Sequence, residues 1–198
     1  EIMRFSSSWF YDGKVKADPI TAHRGILDYD TPIEWVDDVA NDDETVGETF
    51  VGETFGRINK VEARQVMELL QAYFEKIGKQ RIIDESIDVG IISPYRAQVQ
   101  YLRHLIKKEA FFKPFRHLLS VNTVDGFQGQ ERDVIIVSLV RSNNDGQIGF
   151  LRDLRRMNVA MTRARSKLII IGDHETLAHH EFYKKLYEYI KKHKTDNF

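Results

Sequence analysis

Apolar positions recur along this chain with two different spacings, and the change from one to the other organises it. From residue 59 the spacing is helical: Val66, Leu70, Tyr73, Phe74 and Ile77 fall on one face. Asn59 stands before that run with a side-chain oxygen to cap its first turn. Glu62, three residues on, is placed to reach back and complete a capping box. Gly78 predicts the end of this helix. Short apolar runs then take over at Ile87 to Ile92, Leu118 to Thr123, Val134 to Val140 and Lys167 to Gly172. Each reads as a strand, and two are continuously apolar, as strands covered on both faces are. After the first, Ser93 as cap and Pro94 at the first helical position open a helix with Tyr95, Val99, Leu102 and Ile106 on its inner stripe. A last helix sets Phe182, Leu186 and Ile190 inward and Lys184, Lys185, Lys191 and Lys192 outward. Strands alternating with helices predict an α/β domain on a parallel sheet.

The first 58 residues are less regular and read as an irregular segment of the same domain, whose main body is 59–198. Turn signals stand at Asp12-Gly13 and Pro32. A five-residue repeat, Val46 to Phe50 and then Val51 to Phe55, is too short for a solenoid and reads as a strand, a hairpin arm or a loop. The run Ile82-Ile-Asp-Glu85 imitates the acidic end of a Walker B strand, but only two apolar residues lead into it. It is read as a loop.

Composition narrows the function. A chain of 198 residues holds one domain with appendages, and its 42% hydrophobic and 30% charged content is that of a soluble globular protein. No apolar run of about 18 residues exists to span a bilayer, so no membrane is expected as partner. The absence of cysteine excludes disulfides, thiolate zinc sites and cysteine nucleophiles, and it fits a reducing cytoplasm. Glu1-Ile2-Met3-Arg4 carries neither an initiator methionine nor a signal peptide, so the chain reads as a piece of a longer polypeptide.

A net charge of −1 conceals an asymmetry. Residues 28–53 hold ten acids and no Lys or Arg, whereas Arg152, Arg155, Arg156, Arg163, Arg165 and Lys167 face the single acid Asp153 within 152–167. One end repels polyanions and the other attracts them, and both read equally as solvated faces. The acidic stretch is expected as an insertion on the outer surface. His174, Glu175 and His179 miss the spacing of a zinc-protease helix by one residue, which turns the second histidine about 140° from the first; no metal site is expected. No Gly-x-x-x-x-Gly-Lys-Ser/Thr phosphate loop occurs.

Ligands of open parallel sheets sit at the carboxyl ends of strands, just after each apolar run, and three segments stand out as candidates: Ser93-Pro-Tyr-Arg-Ala-Gln98, Asn122 to Glu131, and Arg155 to Arg165. Glu131 offers a carboxylate to a ribose hydroxyl, and Gly129 lets backbone approach a nucleotide. Arg163 offers a permanently charged fork for a γ-phosphoryl group in its transition state. On a continuous helix Arg156 shares its face and would assist or brace it. Ser93 and Thr123 are small hydroxyl groups suited to phosphates, with Pro94 and Asp125 beside them; the ring of Tyr95 reads as core packing before it reads as a base-stacking surface.

In this order and spacing the three segments resemble motifs IV, V and VI of superfamily 1 DNA and RNA helicases, in the Upf-one-like branch. The stretches Thr123-Val-Asp-Gly-Phe-Gln-Gly-Gln-Glu131 and Gly149-Phe-Leu-Arg-Asp-Leu-Arg-Arg-Met-Asn-Val-Ala-Met-Thr-Arg-Ala-Arg165 carry the likeness. The resemblance implies the C-terminal RecA-like domain of such an enzyme, a P-loop NTPase-type fold lacking the P-loop. It implies Arg163 as arginine finger, with Arg156 assisting, and Gly129, Glu131 and Arg163 on ATP and Mg2+. It implies Ser93, Pro94, Tyr95, Thr123 and Asp125 along single-stranded DNA or RNA. A preceding RecA-like domain of the same polypeptide would supply the missing phosphate loop, leaving this piece inactive alone and monomeric. The alternative is a helicase-derived module that binds nucleic acid or protein without turning over ATP.

Overall fold

The structure is a computed structural model describing residues 2–15, 25–27, 30–38, 47–52, 56–127 and 129–195. Helix α1 (Ile2–Phe10) leads to strand β1 (Ile33–Val36), a two-stranded hairpin of β2 (Thr49–Val51) and β3 (Gly56–Ile58), and helix α2 (Lys60–Ile77). There follow α3 (Lys79–Asp84), β4 (Val89–Ile92), α4 (Arg96–Lys108), a 3₁₀ segment Ala110–Leu118 and β5 (Leu119–Asn122). A 3₁₀ turn at Val124–Phe127 precedes β6 (Arg132–Ser138), and another at Gly149–Arg152 precedes α5 (Leu154–Met161). Strand β7 (Ala164–Ile171), α6 (His174–Leu177) and α7 (Glu181–Thr195) complete the chain. The five strands of the main sheet lie in the order β1-β7-β6-β4-β5, every pair parallel. The α/β parallel-sheet reading holds.

Alternation along the central strands builds two cores. Ile135 and Val137 of β6 with Leu168 and Ile170 of β7 face Phe5, Met157, Phe182 and Leu186. Val134 and Ile136 with Ile169 and Ile171 face Leu70, Phe74, Leu102 and Phe112. Helices therefore cover both faces, which is why the two runs contain so few polar residues. No helix among the described residues is long and apolar enough to cross a membrane.

Three local readings need correction, and one that was open is resolved in part. Residues 82–84 belong to α3, whose Ile82 is fully buried in the second core. The helix after β4 starts at Arg96 with Tyr95, in extended conformation, as its cap, two residues later than expected, because the chain bends at Pro94 before the helix begins. Part of the five-residue repeat, Thr49–Val51, pairs with β3 as a hairpin, while Val46 and 53–55 lie outside the described residues. The acidic stretch is not an outer insertion where it is described. Within it Ile33 and Trp35 are buried, and β1 pairs with β7 along the edge of the main sheet. Its acids have structural partners: Asp30 and Glu34 hold Lys167 at 2.5 and 3.2 Å, and Asp37 lies 2.8 Å from the ring of His174.

Glu62 departs from the capping-box reading in an informative way. Asn59 does cap α2, its side chain accepting from the Glu62 N–H at 3.0 Å. The Glu62 carboxyl, however, turns into the protein, with no exposed surface, and accepts from the Ser138 hydroxyl at 2.6 Å and the Val140 N–H at 2.8 Å. Gln98 of α4 takes the place expected for Glu62, accepting from the Asn59 N–H at 3.0 Å. Burial pushes Glu62 well above the ordinary carboxylate range. Val140 has φ +71, a left-handed conformation unfavourable for a β-branched residue, and it is held by Glu62 on its N–H and Asn59 on its carbonyl.

Next to this network Glu48 bridges Arg57 and Arg141; it lies 2.6 Å from Arg141, and both side chains are at most 7% exposed. Removing one partner of a buried pair costs about 3–5 kcal/mol because the other charge is left unpaired. Glu48→Ala should therefore lower unfolding free energy by that order in urea titration, and a change under about 1 kcal/mol would contradict the pairing. Asp38, which accepts from Asn59 at 2.9 Å, is pushed up to about 6 by burial, with Asp173 and Asp37 adding to the effect. Its folded form keeps a proton that the unfolded chain releases near pH 4, so this group's contribution to stability falls as pH rises from about 4 to 6 and is level above. Unfolding midpoints of Asp38→Asn and wild type should diverge in the variant's favour across that window. A pH-independent difference would refute it.

Candidate functional site

In a parallel sheet every strand delivers its exit to the same edge. There Ser93 and Thr123 are neighbours through the β4–β5 pairing, and the Ser93 N–H donates to the Asn122 carbonyl at 3.2 Å. Thr123 is partly exposed. Ser93 is fully buried, and its hydroxyl accepts from the Tyr95 N–H at 3.4 Å. Pro94 is half-buried between them. Tyr95 is buried too, and its hydroxyl accepts from Arg141 at 3.4 Å. Against it lies the ring of Phe150, 5.4 Å between centroids and tilted 34°, with 64% of that residue exposed. Gly149 makes this approach possible: at φ +54, a Cβ would stand 2.2 Å from an Arg141 nitrogen and 2.8 Å from the Tyr95 hydroxyl.

From Thr123 the crossover to β6 must return to the opposite edge of the sheet, where β6 begins. Val124 and Phe127 plug it into the first core, and Asp125 stays exposed. Gly90 leaves it room: a Cβ there would meet the Phe127 ring at 2.8 Å and Ile135 at 2.7 Å. Helix α5 packs along this crossover, and Arg156 reaches Asp125 at 3.3 Å. Two residues expected to play different parts are thus brought together as an exposed ion pair. Gly129, at φ +75 with open space where a Cβ would be, and Glu131 are exposed at the far end.

Arg163 meets them there. It does not continue the helix of Arg156, because α5 ends at Met161 and Arg163 lies in the turn that enters β7. Its carbonyl accepts from the Arg132 N–H at 2.9 Å, which fixes it beside the residue that follows Glu131. The guanidinium donates to the Val159 carbonyl at 3.2 Å, is partly exposed and has no carboxylate partner among the described residues. Gly129, Glu131 and Arg163 therefore share one edge of the sheet, with Ser93, Tyr95 and Thr123 at the other; Asp125 and Arg156 lie between them.

The edge that carries Gly129, Glu131 and Arg163 is locked by charge. The main-chain N–H groups of Asp88 and Asp133 donate to each other's carboxylates at 3.2 and 2.7 Å, and Arg165 lies 2.8 Å from Asp88 and 3.2 Å from Asp133. Burial raises Asp133 above the usual range even so. The basic run is thereby thinned: Arg165 is paired, and Lys167 is 2% exposed. Its surface charge rests mainly with Arg152, Arg155 and Arg163. Sequence reasoning passed over Phe150, since a lone phenylalanine in an apolar pattern is read as core; Gly149 before it was the available signal. Among the described residues no cluster of three or more potential metal ligands occurs.

A family described as an AAA domain matches residues 1–175. The DNA polymerase alpha-associated DNA helicase A of Saccharomyces cerevisiae is 38% identical over 89% of this chain and 26% of its own length. An uncharacterized ATP-dependent helicase of Methanocaldococcus jannaschii is 36% identical over 96% of this chain and 28% of its own. A Neurospora crassa homolog of regulator of nonsense transcripts 1 is 32% identical over 96% and 17%. The chain thus spans little more than a quarter of these relatives at most.

Proposed function

We propose, on the premise that this chain belongs to the AAA domain family and is the C-terminal RecA-like domain of a superfamily 1 helicase of the Upf-one-like branch, that it supplies the arginine finger and part of the strand track of an ATP-driven motor. One observation carries this reading: Arg163, held at the sheet edge that carries Gly129 and Glu131, has no carboxylate partner among the described residues. An arginine without a carboxylate partner is available to charge that arrives from outside, and its short tether to Val159 limits the freedom it would lose on doing so. ATP with Mg2+ would be shared with a preceding domain carrying the phosphate loop. Glu131 would accept from the ribose, Gly129 would admit the nucleotide to the backbone, and Arg163 would face the γ-phosphoryl group. Arg156, engaged with Asp125, braces the crossover and acts on the nucleotide only through it.

The strand would cross the opposite edge, with Thr123 and the backbone around Ser93 facing phosphates. Because Ser93 and Tyr95 are buried as folded, Phe150 is the better stacking surface, propped on Tyr95 and followed by the exposed Arg152 and Arg155. Closure on ATP and opening after hydrolysis would move the two grips relative to one another and separate a duplex.

In the whole polypeptide that carries this domain, Arg163→Ala should lower strand-stimulated ATP turnover about 10³- to 10⁵-fold while leaving strand affinity within a few-fold. Turnover near wild type would remove Arg163 from the catalytic role, and no turnover by wild type with any strand would favour a binding module. Phe150→Ala should weaken single-strand binding by about 5- to 100-fold at fixed salt, the usual range for one base–aromatic stack, without lowering the melting temperature. Unchanged affinity for both DNA and RNA would take Phe150 off the track.

A further inference from the structure

A cavity of about 410 Å³ opens on the free side of edge strand β5, behind the residues assigned to the strand track. Its floor is apolar, from Ile106, Leu119 and Phe127, and its rim is cationic, from Arg103 and Lys107 of α4 and Arg116 of the 3₁₀ segment. No carboxylate lines it, and none of the three cations pairs with a carboxylate among the described residues. At Lys167, Arg141 and Arg165, by contrast, the fold neutralises buried or crowded cations with acids. Like charges gathered around a concavity without a counter-charge focus a positive potential into it.

The open edge of β5 could in principle take a peptide strand, but Arg103 donates to the outward carbonyl of Val121 at 2.9 Å. Arg116 likewise donates to the Lys107 carbonyl, tying the rim together. An added strand would have to displace Arg103, whereas an anion can meet its remaining guanidinium nitrogens without disturbing it. Asn122 and Gly126 both line the cavity, and these residues bracket Thr123 and Asp125. The wall of the cavity is therefore the back of the crossover whose front faces the proposed strand.

We propose that this cavity is a phosphate station for the same single strand, holding a backbone phosphate beyond the nucleotides gripped at Thr123, with Lys107, Arg103 and Arg116 as its donors. The proposal rests on the reading of this domain as part of a strand track. Lys107 supplies the mobile charge, and the two arginines supply fixed donors around an apolar floor that accommodates a sugar.

The test is the salt dependence of binding to long and short single-stranded oligonucleotides, in the whole polypeptide, for wild type, Lys107→Gln, Lys107→Gln with Arg116→Gln, and Lys108→Gln as a control outside the cavity. Losing one phosphate contact should make the slope of log affinity against log salt shallower by about 0.7. Lys107→Gln should show that change on the long strand only, and Lys108→Gln should show none. The single variant keeps the test valid if loss of the Arg116 tether destabilises the double one. Strand binding by wild type with an unchanged slope in Lys107→Gln overturns the station and leaves the track intact. Failure of wild type to bind any strand overturns the track itself, and the station falls with it.

Discussion

A carboxyl group sealed from water has to find every hydrogen bond inside the protein, and the placement of Glu62 constrains much of what lies around it. Its contacts to the Ser138 hydroxyl and the Val140 N–H pin the first turn of α2 to the exit of β6. Asn59 and Gln98 extend the same network to α4. With Val140 held in a left-handed turn, the chain is directed so that Arg141 points inward, where Glu48 neutralises it and Tyr95 accepts from it. Gly149 sits on that Arg141–Tyr95 pair and leads directly into the exposed Phe150. A buried helix-start residue is thus linked to a surface ring through hydrogen bonds and one glycine, each with its distance fixed by the one before. Leaving a member unsatisfied costs more than a surface bond is worth, because the stranded partner remains desolvated.

Charge is distributed by the same logic. The described acids of this stretch have partners inside the fold: Asp30 and Glu34 neutralise Lys167, Glu48 neutralises Arg141 and Arg57, and Asp38 sits in the Glu62 network. Asp30 and Glu34 of the acidic run and Lys167 of the basic run belong to one arrangement, more than a hundred residues apart in sequence. What remains uncompensated after this pairing is informative. Arg163 at one sheet edge, Arg152 near Phe150, and the Arg103, Lys107 and Arg116 rim are among the cations that have no carboxylate partner among the described residues.

The parallel sheet was legible because strands covered on both faces have to be apolar on both faces, and Val134–Val137 and Leu168–Ile171 are. Helix α2 was legible from its stripe and from Asn59. The direction of the Glu62 side chain was not, since a capping box and an inward network require the same residue at the same place and only Ser138, 76 residues away, decides between them. Periodicity failed at Ile33–Val36 because a four-residue edge strand presents just two buried positions, too few to count against acids on either side. It failed at Arg163 because a helix that stops at Met161 and one that runs on look alike in a sequence whose next residues are Thr and Arg. The site segments were legible as chemistry, and their distribution between two opposite edges was not, since a crossover has no period of its own.

That distribution is what makes the crossover mechanically interesting. Thr123 and Glu131 are separated by eight positions, yet they lie at opposite edges of the sheet, and the segment between them is gripped by Val124 and Phe127 in the core. Helix α5 runs beside it with Arg156 on Asp125 and delivers Arg163 to the edge that carries Glu131. Both links from one edge to the other are thus short and packed, with Gly90 removing the slack a side chain would introduce. A tightly packed element answers a push at one end by moving as a body, because interiors at this density have little room to absorb it locally. In a motor of the proposed kind, a pull on Arg163 by an arriving γ-phosphate would therefore be carried to Thr123 by α5 and the crossover together, and the exposed, salt-screened Arg156–Asp125 pair is the weakest joint between them.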